Sequence, residues 1–248
     1  MSGVGFLGMG KIGRALAAEV TRLGHEVAFV YDPFLKEPGE LPQVTSLDDP
    51  RCAKASLVVE CATADALKQG FDQIIAHSNL LVFSLTAFSD ADFAAHSKAE
   101  AQRLGRHIYF PHGAILGLDG IWDGRELLTS VSIETTKSPA SLGLSLTEKT
   151  VVFEGPTRAA CAAFPRNVNV HAAVALAGIG FDKAQSRIVA DPSVHTNTHR
   201  IQAEGEGIHI ELLISSFTTG GVTGIYTPKS ACGSLARALS ATDTFAFV

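Results

Sequence analysis

Residues 3–32, GVGFLGMGKIGRALAAEVTRLGHEVAFVYD, carry the order that decides the fold: an apolar run, a glycine-punctuated turn, an amphipathic segment, a second apolar run and an acid. Residues 3–8 are almost continuously apolar and close on glycine, the pattern of a strand buried on both faces. Gly8-Met9-Gly10-Lys11-Ile12-Gly13 then opens a helix to about Leu23, with Ile12, Ala15, Leu16, Val20 and Leu23 facing inward. Gly24 stops the helix, and Glu26–Tyr31 makes a second strand with Asp32 at its carboxyl end. The three glycines of the turn differ in what they allow. Gly8 permits the tight turn, Gly10 lets a pyrophosphate approach the backbone, and Gly13 lets helix and strand pack closely. The helix start at Lys11 and Ile12 offers unpaired amides and the positive dipole end to phosphates. Asp32 lies 19 residues beyond Gly13, placed to accept hydrogen bonds from an adenosine ribose. Its charge would repel a 2′-phosphate, so NAD is expected, with NADP as the alternative.

The alternation continues through the first half. Leu57–Cys61, Leu80–Ser84 and His107–Phe110 read as strands, and Ala64–Ala76 and Asp90–Leu104 as helices. Such βα alternation predicts a Rossmann-type parallel sheet over residues 1–110, covered on both faces. Cys61 and Ala62 then fall at a strand's carboxyl end, where open α/β sheets bind ligands. No cation or histidine adjoins Cys61 in sequence, so it reads as a packed thiol near the cofactor rather than a nucleophile.

After Pro111 the pattern changes. A glycine-rich loop leads to a short helix near Ile121–Arg125, and strands are expected at Leu128–Thr136, Val151–Glu154, Ser186–Ala190, Thr198–Ala203 and Ile208–Ser215. Helices are expected at Ala159–Phe164 and Asn169–Ala177. This predicts an α+β catalytic domain with an open mixed or antiparallel sheet over 111–225. Residues 226–248 are expected to form a C-terminal helix returning to the first domain.

A net charge of −5 and the lack of any basic run argue against a nucleic-acid partner. Hydrophobic content of 46% with 18% charged residues is that of a soluble globular chain, and no apolar run is long enough to cross a membrane. The apolar start lacks a basic flank and a cleavage site, so no signal peptide is expected. Four scattered cysteines without a C-x-x-C pair read as reduced thiols of a cytoplasmic protein. The chain has no H-E-x-x-H, no Cys/His cluster and no G-x-S-x-G, so neither a metal nor a serine nucleophile is expected.

Among nine histidines, His112, His171 and His199 compete on position for a role in proton transfer, which suits a neutral imidazole. Asn169, at a helix start, either caps that helix or offers its amide to a ligand. Asn197 reads equally as a turn residue or a substrate ligand. Lys137, Arg166, Arg200 and Lys229 are the cations available to an anionic substrate, though each reads most simply as a solvated surface charge.

Five segments, GMGKIG (8–13), PHGAILGLDG (111–120), FPRNVNVHAAVALAGIGFD (164–182), ADPSVHTNTHRI (190–201) and TPKSACGSLARAL (227–239), resemble in order and spacing the L-aspartate dehydrogenase family. The resemblance covers nearly the whole chain. It implies NAD(P)-dependent oxidative deamination of an amino-dicarboxylate, L-aspartate, to iminoaspartate and then oxaloacetate and ammonia, with a link to NAD biosynthesis and a homodimer. It also implies that His199 is the catalytic residue and that Ala114 and Asn169 contact the cofactor; beside it, Asn197 and His112 read from the residues as candidates to bind the substrate. The chain departs from the family pattern at His112-Gly113-Ala114, where Ser-Gly-Ala is common, and at Thr227-Pro228-Lys229, where Asn-Pro-Lys is common. The rival expectations are a related two-domain reductase of another imine or semialdehyde, and a dinucleotide-sensing protein without turnover.

Overall fold

The computed structural model describes residues 2–36, 39–217 and 225–240. They form two compact units, one running to Pro111 and resuming at Pro228, the other spanning His112–Thr227.

In the first unit, β1 (Gly3–Leu7), β2 (Glu26–Tyr31), β3 (Gln43–Val44), β4 (Ala55–Glu60), β5 (Asn79–Val82) and β6 (Ile108–Tyr109) make one sheet in the order β3-β2-β1-β4-β5-β6. Every pairing in it is parallel. Helices α1 (Lys11–Arg22), α2 (Ala64–Ile75) and α3 (Ala91–Leu104) are the crossovers. The inner stripe of α1, Leu16, Ala17 and Val20, packs on Val4, Phe6, Val30, Leu57 and Val59 of the sheet. All are buried, and each large side chain contributes about 1.5–3 kcal/mol. The last described helix, α7 (Tyr226–Ala238), inserts Ala231 and Leu235 into the same cluster, both fully buried. Residues 241–248 of the segment read as a returning helix lie outside the described residues. Strand β3 goes beyond the sequence reading, because two residues beside Pro42 carry no alternation to detect.

In the second unit, α4 (Leu118–Gly124), β7 (Leu128–Lys137), β8 (Thr150–Pro156), α5 (Thr157–Ala163), α6 (Asn169–Ala177), β9 (Gln185–Ala190), β10 (Thr196–Gly205) and β11 (Ile208–Phe217) follow in chain order. The sheet order is β11-β10-β7-β9-β8, with β7–β9 parallel and the other pairs antiparallel. It is therefore mixed. Helix α6 packs on α4, α5 and β7, covering one face of the sheet. On β7 and β10 burial alternates with period two, as a sheet covered on one face requires. The covered face holds Ile133 and Ile201 but also Thr135, Lys137, Asn197 and His199, an unusual polar content for a core.

Candidate active site

The glycine turn of the first unit forms one wall of a cavity of about 710 Å3 at the carboxyl ends of β1, β2 and β4. Gly8 has φ +92°, and a Cβ there would come within 2.8 Å of Ala62. A Cβ on Gly13 would stand 2.7 Å from the Gly8 carbonyl oxygen, so α1 packs on the strand only because that position is bare. At Gly10 the space is open, with no atom within 4 Å of where a Cβ would project. No side chain caps the start of α1, which leaves its first amides to an anion. Lys11 and Ile12 form that first turn, Lys11 exposed and Ile12 half-buried. Asp32 accepts a bond from the Met9 amide at 2.8 Å through Oδ2 and from the Phe34 amide at 2.9 Å through Oδ1. Its carboxylate is thereby aimed at the rim of the cavity. A bare phosphate approach, free amides and a held carboxylate together fit a dinucleotide.

Cys61 and Ala62 line the same cavity. The Cys61 thiol donates to the Gly8 carbonyl at 3.2 Å, and burial pushes its pKa well up, with Glu60 and Asp32 adding to the effect. It is a clamp on the glycine turn rather than a nucleophile. Sequence reading missed Glu60. This carboxylate is fully buried, accepting from the Ala62 amide (2.8 Å), the Ser84 amide (2.9 Å) and the Ser84 hydroxyl (2.8 Å). Burial raises its pKa to about 6 against the pull of those bonds. It ties the carboxyl end of β4 to that of β5. An acid at a strand end, next to the residues read as ligand-binding, was the signal available.

In the second unit the sheet brings together two of the three competing histidines. His199 on β10 stands opposite Thr135 on β7, and its Nδ1 lies 2.8 Å from the Thr135 hydroxyl. His171 of α6 reaches the same hydroxyl through Nε2 at 2.7 Å, while its Nδ1 meets the Ser186 hydroxyl at 2.9 Å. Both ring nitrogens of His171 are thus engaged and the residue is fully buried, so it stands behind the site rather than in it. Nε2 of His199 has no hydrogen-bond partner among the described residues. Burial lowers the His199 pKa to about 3, with the nearby Lys137 charge adding to the effect, so the ring is neutral at working pH.

Lys137 corrects the sequence reading. Rather than a solvated charge it is 3% exposed, and among the described residues its Nζ donates only to the Asn167 carbonyl, at 3.2 Å. No carboxylate lies within ion-pair distance among the described residues, and burial lowers its pKa to about 8. Arg166, Arg200 and Lys229 are exposed, and Arg200 pairs with Glu211. Lys137 and Asn197 each lie two residues along their strands from the Thr135–His199 pair, on the same face. Asn197 is part of β10, which begins at Thr196, and pairs with Ser216 of β11, so the turn alternative is excluded. Among the described residues of this unit, two buried polar atoms have no hydrogen-bond partner, Asn167 Oδ1 and Ser216 Oγ. Orphaned groups beside an unpaired ammonium mark a face built for a polar ligand. Asn169 is the first residue of α6, and the cap position falls to Val168, which makes no side-chain cap. His112 and Ala114 are half-buried in the turn before α4.

Known proteins match both units. Residues 3–111 match the family described as homoserine dehydrogenase, NAD binding domain, and residues 122–238 the family described as aspartate dehydrogenase, C-terminal. The L-aspartate dehydrogenase of Thermotoga maritima is 39% identical over 199 residues, covering 79% of each chain. That of Methanococcoides burtonii is 34% identical, covering 97% of this chain and 94% of its own. The chain belongs to the aspartate dehydrogenase family. A crystal structure of aspartate dehydrogenase from Thermotoga maritima superimposes over 100% of both chains with a TM-score of 0.84 and 32% identity. Membership makes the chain an oxidoreductase using NAD(P), with a Rossmann-type unit and a mixed-sheet unit. No described helix is long and apolar enough to cross a membrane.

Proposed function

We propose that the chain oxidises L-aspartate to iminoaspartate, which water converts to oxaloacetate and ammonia, with His199 as the group that moves the proton. One observation carries this reading: the Lys137 ammonium is buried without a counter-ion on the sheet face that holds His199. A carboxylate of the substrate supplies the missing charge, and a buried charge-assisted bond of this kind is strong. Asn197 binds the substrate from the neighbouring strand, and the orphaned Asn167 Oδ1 and Ser216 Oγ complete the polar lining. The bound carboxylate also offsets Lys137, which opposes protonation of His199, so substrate raises the basicity of the ring. His199 then takes the proton of the substrate amine. A nicotinamide cofactor held by the glycine turn would supply the acceptor for the Cα hydrogen, which leaves as hydride.

The cofactor lies, in this reading, on Gly8, Gly10, Lys11, Ile12 and Gly13, with Asp32 at the ribose selecting NAD over NADP and Cys61 and Ala62 flanking the turn. For Ala114 and Asn169 as cofactor residues the support is the family resemblance; for His112 as a substrate residue it is a half-buried imidazole that can donate to a carboxylate. Residues 1–110 and the C-terminal segment 226–248 serve the dinucleotide, and 111–225 the substrate. The sheet face opposite His199 exposes Leu213 and Phe217, and we place a homodimer contact there. A cytoplasmic location and supply of iminoaspartate to NAD biosynthesis complete the proposal.

The test is the rise of NADH absorbance on mixing the protein with NAD and L-aspartate at alkaline pH. His199→Gln is expected to lose about 10²–10⁴ of kcat while keeping its affinity for NAD. Near-normal turnover of that variant would sink the assignment.

A further inference from the structure

We infer that His199 is held in a single tautomer, with Nε2 bare, by a one-way chain of hydrogen bonds through Thr135, His171, Ser186 and Thr157 that ends on a backbone carbonyl. Thr157 Oγ1 lies 3.0 Å from the Ala184 carbonyl oxygen, which can only accept, so the single hydroxyl proton of Thr157 points there. The Ser186 hydroxyl, 2.8 Å from Thr157 Oγ1, must therefore donate to it. That leaves Ser186 as acceptor for His171 Nδ1 at 2.9 Å, so Nδ1 of His171 carries the proton. His171 is buried and neutral, because burial, His199 and Lys137 all lower its pKa, so its Nε2 is an acceptor. Thr135 donates to that nitrogen at 2.7 Å, and its oxygen is left to accept from His199 Nδ1 at 2.8 Å. His199 Nδ1 thus holds the proton and Nε2 presents its lone pair.

The chain has one consistent direction because its far end is fixed. Were Thr157 free to turn, every link could reverse and His199 would present N–H instead of a lone pair. Thr135, His171, Ser186 and Thr157 are positioning residues, since none of them is asked to touch substrate. They all lie within the second unit, on or against the sheet face that carries His199. Lys137 is the charged group facing both histidines. The inference deepens the proposed role of His199, because a base with a bare Nε2 is what amine deprotonation requires.

The test is ¹⁵N–¹H correlation spectroscopy of ¹⁵N-histidine-labelled full-length protein, which reads ring tautomers without substrate or cofactor. Signals are assigned with His199→Gln and His171→Gln. In the unsubstituted protein both rings are expected as Nδ1–H. Thr135→Val, nearly isosteric and suited to a strand, is expected to give a tautomer mixture at His199, and Thr135→Ser to restore the single form. Ser186→Ala, three groups away from His199, cuts the chain from its fixed end at Thr157 and is expected to give a mixture there too. In these variants kcat is expected to fall with the Nδ1–H fraction while the affinity for NAD is unchanged. An Nε2–H ring at His199 in the unsubstituted protein, or a single Nδ1–H form persisting in Ser186→Ala, overturns the inference. If the tautomers behave as expected but L-aspartate is not oxidised, the functional proposal fails and the hydrogen-bond chain stands.

Discussion

Lys137→Met keeps the length and most of the volume of the side chain while removing a charge buried without a counter-ion. In the folded chain burial brings the lysine pKa from 10.5 to about 8. That fall corresponds to about 3 kcal/mol by which the ammonium burdens the fold at neutral pH. The substitution also takes away the donor to the Asn167 carbonyl, at a cost of about 1 kcal/mol. The net expectation is about 2 kcal/mol of added stability, or a rise of about 4–8 °C in Tm for a chain of this size. The sign with pH follows from proton binding. Between pH 8 and 10.5 the unfolded chain binds more protons at this lysine than the folded one, so the unsubstituted protein gains stability as pH rises through that window. The advantage of the methionine is therefore full at pH 7 and shrinks towards pH 10. Substrate binding should move the opposite way, since a charge-assisted bond in a buried site is worth about 2–5 kcal/mol. KM for L-aspartate is expected to rise at least about 30-fold. Thermal unfolding followed by circular dichroism at both pH values, beside NADH-linked kinetics, reads both effects. A variant with lowered Tm at pH 7 and an unchanged KM for L-aspartate would refute the argument that the charge awaits a substrate carboxylate.

Two further expectations concern the first unit. Asp32→Asn keeps the size of the side chain but removes the charge at the cavity rim. The ratio of kcat/KM with NAD to that with NADP is expected to fall about tenfold, by about 1.4 kcal/mol, and an unchanged ratio would remove Asp32 from the ribose. Glu60→Gln removes a buried charge yet should destabilise by about 2 kcal/mol, because both carboxylate oxygens face donors and the new NH2 must oppose one of them. A urea midpoint equal to that of the unsubstituted protein would show that the donors around Glu60 rearrange freely.

The nucleotide unit was legible because its chemistry lies in backbone shape, and backbone shape is written in consecutive residues. Gly8, Gly10 and Gly13 are within one turn and a helix start, and each is explained by what a Cβ would meet or leave open. The alternation of apolar runs and helical stripes likewise fixed the order of elements, down to Glu26–Tyr31 and Asn169–Ala177 with their observed ends. Strand ends elsewhere moved by at most two residues, and one such shift carried meaning: extending β10 back to Thr196 puts Asn197 in the ladder. Glu60 escaped notice because a single acid at the end of an apolar strand looks solvated until Ser84 and Ala62 are seen to surround it.

The sheet face that carries His199 was harder to read for a different physical reason. Thr135, His171, Ser186 and His199 come from β7, α6, β9 and β10, and no local spacing relates them. On β7 the alternation of Val131, Ile133, Thr135 and Lys137 marks a buried face, yet nothing in the period distinguishes a threonine placed for its methyl from one placed for its hydroxyl. Lys137 is the sharper case. Lysine is almost never buried unpaired, so treating it as a surface charge followed the general rule. The fold breaks that rule next to a histidine whose protonation the same lysine opposes. The charge on Lys137 costs stability and keeps the His199 ring neutral, and in the proposed reaction a substrate carboxylate would offset both effects. Residues that cost stability, rather than the regular ones, are therefore where a substrate carboxylate would act in the proposed reaction.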